Sequence, residues 1–232
     1  MSHLAEHPFE AQTISRFFGG IDADNNNPHD CNWIITNIVN DNNPYPGSSG
    51  TVISMMSREL GGWARRGFRW DQRQRLAAFI TNSNRLKGVI TTGNSPGTSD
   101  FNGLLAGDEQ LEFLRNFGMI FAYWNHADIW ASWCASYNGM RNILVQFDAA
   151  YGGANPVPAD LAQKWATFNR QELNNIARIG REYVDLLYSI KKPVGGLWGY
   201  WWDLKWYTVM TAPIVNQRSY IKFTQTCANL PP

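Results

Sequence analysis

Four histidines and three cysteines bound the chemistry open to this chain. His3-Leu-Ala-Glu6-His7 fits H-x-x-E-H, where two histidines on one helix face bind zinc and the glutamate activates water. Here Pro8 follows directly and no helical turn precedes the motif, so a solvated tail is expected and no metal site is assigned. Asp22-Ala-Asp24-Asn-Asn26 opens like a calcium loop, but Asn27 stands where the loop needs Gly and Trp33 where it needs Glu. Nucleophilic catalysis needs a Ser or Cys beside a His. Only His29 and His126 lie in the body of the chain. Cys134 is eight residues from His126, about 12 Å along a helix, too far for a hydrogen bond. It is expected to be a small core residue. Cys31, Cys134 and Cys227 are odd in number and widely spaced, so neither a disulfide framework nor a zinc site is expected. Asp108, Glu109 and Glu112 fall in the first turn of an expected helix, where the helix dipole accounts for them. Gly61-Gly62, Gly152-Gly153 and Gly195-Gly196 lack the spacing of a phosphate loop. No cofactor is assigned. His126, flanked by Asn125 and Asp128, is the best candidate for a functional histidine.

Charge is more informative. The 232 residues carry a formal net charge of +1, with 17% charged and 44% hydrophobic side chains. That composition excludes a disordered chain. The total hides blocks of opposite sign. Residues 1–57 are net acidic, with six carboxylates against Arg16. Residues 58–87 carry eight basic side chains against Glu59 and Asp71. Residues 88–130 are acidic again, with five carboxylates against Arg115. The basic block is nearly all Arg and is interleaved with Trp63, Phe68 and Trp70. Guanidinium groups match phosphate oxygens, and aromatic faces stack bases without regard to sequence. Arg65, Arg66, Arg69, Arg73 and Arg75, with Trp63 and Trp70, therefore form the expected single-strand contact. The competing reading is that this segment pairs with its acidic neighbours or with another subunit.

Helical spacing dominates the elements that must hold these residues. Helices are expected over Phe9–Phe18, stopped by Gly19-Gly20, and over Asp30–Val39, with a strand as the alternative for the second. Further helices are expected over Thr51–Leu60 and Asp71–Arg85, then a lone strand at Val89–Thr92. A long helical region runs from Asp108 to Ala150, broken near Gly139. A clear amphipathic stretch follows, from Leu161 to Ile190. Trp198, Tyr200, Trp201, Trp202, Trp206 and Tyr207 crowd ten positions. Six large rings cannot all face inward on one helix, so Trp198, Trp201, Trp202 and Trp206 are assigned to self-association. The expected fold is mainly α: a single helical domain of six to eight helices with irregular N- and C-terminal arms. Its parts are an arm over 1–29, a helical core over 30–192 and an aromatic-rich arm over 193–232. The most apolar stretch, Phe117–Tyr137, is broken by Asn125, His126 and Asp128, so no membrane span is expected.

This plan is similar to that of coat proteins of filamentous and rod-shaped plant RNA viruses. The resemblance implies a helical core with terminal arms, no catalytic site, and an Arg and an Asp near the RNA. Arg141 and Asp148, in Arg-Asn-Ile-Leu-Val-Gln-Phe-Asp, stand in for that pair. The expected function is a non-enzymatic, capsid-like assembly protein that self-associates as a homo-oligomer or helical assembly. It would bind single-stranded RNA and reside in the cytoplasm or in a virion. The alternative is a helical enzyme or small-molecule-binding protein with an aromatic-lined pocket around His126, where Asp128 or Tyr137 supplies polar chemistry.

Overall fold

The computed structural model describes residues 3–6, 8–23, 34–40, 44–48, 50–60, 77–97, 107–153, 160–190 and 221–231. The protein is mainly helical. Strands β1 (His3–Glu6) and β2 (Ala77–Ile80) pair as a two-stranded sheet. The α-helices are α1 (Gln12–Ala23), α2 (Val52–Glu59), α3 (Thr81–Thr91), α4 (Gly107–Asn125), α5 (Ala127–Tyr151) and α6 (Leu161–Ile190). A π-helical turn covers Ile35–Val39. The chain divides into two compact units. One takes in Met1–Leu4, Phe79–His126 and Glu172–Gln225; the other takes in Ala5–Ala78, Ala127–Gln171 and Thr226–Pro232.

In the first unit α3 packs on α4. Phe117, Ile120, Phe121 and Trp124 of α4 meet Ile179, Tyr183, Val184 and Leu187 of α6 in one core with Ile90 and Ile221. Each such side chain contributes about 1.5–3 kcal/mol on burial. Gly180 lets α6 come close: an added Cβ would lie 2.8 Å from both Ile221 Cγ2 and Phe121 Cζ. Lys87 is 1% exposed, with its ammonium 5.9 Å from the Tyr123 ring centre and 5.8 Å from that of Trp124.

In the second unit Thr51 caps α2, its Oγ1 accepting the Ser54 N–H at 3.2 Å. Val52, Met56 and Leu60 recur at four-residue steps and are buried as α2 packs on α5. Ser136 Oγ donates to the Glu59 carbonyl oxygen at 2.8 Å. Rings then run through the interior: Trp130 stacks on Trp133 at 4.8 Å, Trp133 on Tyr137 at 5.5 Å, and Phe9 lies between Trp133 and Trp165. Phe17 meets Trp165 edge-on at 4.9 Å.

Several local expectations are corrected. His3–Glu6 is a strand rather than a tail, because β2 offers it a ladder that no local pattern reveals. β2 also shortens the helix expected to begin at Asp71; the helix starts at Thr81 instead. The strand expected at Val89–Thr92 is the end of α3, with Ile90 buried in the core. Helix α1 runs through Gly19-Gly20, since burial of Ile14, Phe17 and Phe18 outweighs a cost of about 1 kcal/mol per glycine. The long helical region breaks at His126, not at Gly139. Gly139 sits mid-helix, where a Cβ would collide with the Glu59 carboxylate. In the π-helical turn Val39 is 45% exposed, whereas Asn37 is buried.

Candidate functional site

Most of the expected nucleic-acid contact (Trp63, Arg65, Arg66, Arg69, Trp70, Arg73 and Arg75) lies outside the described residues. So do the self-association residues Trp198, Trp201, Trp202 and Trp206. The described members of the basic block differ in placement. Arg58 and Arg85 are exposed, whereas Lys87 is turned into the first unit's core.

Arg141 is described. It projects from α5 in the second unit, and its Nε is buried without a hydrogen-bond partner. Among the described residues it makes no ion pair. Its charge is felt one helical turn away at Tyr137. Burial pushes the Tyr137 phenol up to about 12, and the guanidinium offsets part of that rise. A buried N–H left unpaired costs free energy.

Asp148, the acid placed beside Arg141 by the resemblance, has a different task. Its Oδ1 accepts the Leu161 N–H at 3.1 Å and its Oδ2 accepts the Ala162 N–H at 2.8 Å. It thus satisfies two orphan donors at the start of α6. Burial raises its pKa, and these two hydrogen bonds oppose the rise without cancelling it. Asp160, immediately before α6, adopts φ 63° and leaves the capping to Asp148.

The residues of the expected small-molecule pocket are placed as follows. His126 is exposed at the end of the first unit's α4 and its backbone N–H donates to Tyr123 O at 3.1 Å. Asp128 is exposed in the first turn of α5. Tyr137 is fully buried in the second unit, and its hydroxyl donates to the Asn229 carbonyl oxygen at 2.7 Å. Among the described residues no group of three or more His, Cys, Asp or Glu side chains could hold a metal ion. No described helix is long and apolar enough to cross a membrane.

Two functional relationships were not legible in sequence. Asn125, at the end of α4, holds the segment at 222–225: its Nδ2 donates to Lys222 O at 2.7 Å and its Oδ1 accepts the Thr224 N–H at 2.8 Å. The second corrects the reading of Cys134 as an unpaired core residue. Cys134 and Cys227 form a disulfide, their Cα atoms 5.6 Å apart, inside the usual span for such bonds. A separation of 93 residues and an odd cysteine count hid the pairing. No family model, curated protein or solved structure matches this chain.

Proposed function

We propose that this chain is a non-enzymatic assembly protein of coat or nucleoprotein type. It self-associates through its aromatic C-terminal stretch and binds single-stranded RNA through Arg65, Arg66, Arg69, Arg73 and Arg75, with Trp63 and Trp70 stacking bases. The observation that carries the reading is the block at 58–87, where eight basic side chains meet only two acidic ones and alternate with large rings. Binding of that kind rests on phosphate neutralisation and on sequence-tolerant stacking.

Two features of the second unit support it. Arg141 is half-buried on α5, and no acidic side chain among the described residues pairs with its guanidinium. Asp148, its expected acidic companion, is occupied at the start of α6 and does not neutralise it. The reading also bears on place. Disulfides persist outside the reducing cytosol, so a virion accommodates the Cys134–Cys227 bond better than permanent residence in the cytoplasm.

Electron microscopy of the concentrated protein, with and without single-stranded RNA, tests the assembly reading. Rings or filaments that lengthen or become more regular with RNA are expected. A monomer under both conditions contradicts it.

A further inference from the structure

We propose that Cys134 and Cys227 are a redox-modification site, at which a dithiol opens the bond and frees the C-terminal segment from α5. The inference concerns the second unit alone and does not depend on RNA binding.

The segment from Thr226 to Pro231 has no helix or strand to hold it, and Thr226, Ala228 and Asn229 are exposed. What fastens it is a row of side chains on one face of α5, at steps of three and four. Trp130 Nε1 donates to Thr226 O at 3.0 Å. Cys134 bonds covalently to Cys227. Tyr137 donates to Asn229 O, and Asn138 Oδ1 accepts from Asn229 Nδ2 at 3.2 Å. Three hydrogen bonds, two part-buried and one exposed, each contribute about 0.5–1.5 kcal/mol net. The covalent bond is the fastening that does not compete with water. It also closes a loop with a sequence separation of 93, so breaking it restores much chain freedom. Neither cysteine is fully buried, so an attacking thiolate has a path to the sulfurs.

The chemistry balances as two thiol–disulfide exchanges. A thiolate of the dithiol attacks one cysteine sulfur, the Cys134–Cys227 bond breaks, and the other cysteine leaves as a thiolate. The second thiol of the reductant then resolves the mixed disulfide. Two electrons and two protons end on Cys134 and Cys227, and the dithiol becomes a cyclic disulfide.

Hydrogen exchange of the air-oxidised full chain, with Cys31→Ser to prevent shuffling, tests the proposal before and after dithiothreitol. Intact mass and alkylation report the bond. The oxidised protein is expected to resist alkylation at both cysteines, and the reduced protein to take up label at both. Amides at 226–230 are expected to exchange roughly tenfold faster or more once reduced, while those of α5 stay protected. A Cys134→Ser/Cys227→Ser variant should exchange fast there and ignore the reductant. Alkylation of both cysteines before reduction, or unchanged exchange at 226–230 after it, overturns the proposal. Both readouts come from the Cys31→Ser chain itself, so the outcome stands even if the double variant fails to fold.

Discussion

The carboxylate of Asp148, near the end of α5, accepts the backbone N–H of Ala162 at 2.8 Å, fourteen residues further along the chain. It ties the C-terminal end of one helix to the N-terminal end of the next. Asp148→Ala removes the acceptor for two N–H groups and should lower stability by about 1 kcal/mol. The pH dependence has the opposite sign from a salt-bridged aspartate. Because burial raises the folded pKa, the carboxyl is less willing to ionise in the folded chain than in the unfolded one. Its contribution is fully present below the unfolded pKa and declines as pH rises through the raised folded value. Urea melts of wild type and Asp148→Asn across the acidic range should therefore show wild type losing ground as pH rises. A gap that instead widens in favour of wild type contradicts this account.

Tyr137 gives the matching prediction at high pH. Its phenol stands at about 12, against 10.0 for the free side chain, so the unfolded tyrosine ionises first. Stability is lost between those two values. Tyr137→Phe should cost about 1 kcal/mol at neutral pH through the lost bond to Asn229 O. It should also flatten the alkaline loss of stability. Denaturant midpoints at neutral and alkaline pH measure both effects.

Helix glycines should respond with opposite signs to one substitution. Gly19 and Gly20 have nothing within 4 Å of an added Cβ, so alanine there should raise stability by up to about 1 kcal/mol each. At Gly139 the new methyl would strike the Glu59 carboxylate, so Gly139→Ala should destabilise despite its better helix propensity. Adding Glu59→Ala should recover part of that loss. Thermal melts of the single and double variants decide it; equal gains at all three glycines would contradict the close approach at Gly139.

The legible part of this fold is the part written at helical spacing. Val52, Met56 and Leu60, or Trp165, Ile176, Ile179 and Tyr183, announce their buried faces because each helix buries one stripe. What stayed hidden depends on partners far away in sequence. The pairing of His3–Glu6 with Ala77–Ile80 turned an expected tail and part of an expected helix into strands. Glu59 lying across Gly139 turned an expected break into a close contact. Lys87 closes the basic block in sequence, and in the structure its ammonium lies against the Tyr123 and Trp124 rings. At the candidate site, the coat-protein resemblance pointed to Arg141 and Asp148, but only the structure gave Asp148 to the start of α6 and Cys134 to Cys227.

The central claim is that phosphate neutralisation by arginine drives RNA binding, and the salt dependence of affinity tests it most directly. Fluorescence anisotropy of a labelled, mixed-sequence single-stranded RNA would be followed from low to physiological salt. Wild type should lose affinity steeply, with log K falling linearly against log salt. Arg65→Gln/Arg66→Gln/Arg69→Gln should bind more weakly, with a slope shallower by about 2. Arg141→Met should weaken binding without lowering stability, since it deletes an N–H that the described protein leaves unpaired. Affinity that is absent, or flat with salt and indifferent to these substitutions, would contradict the account.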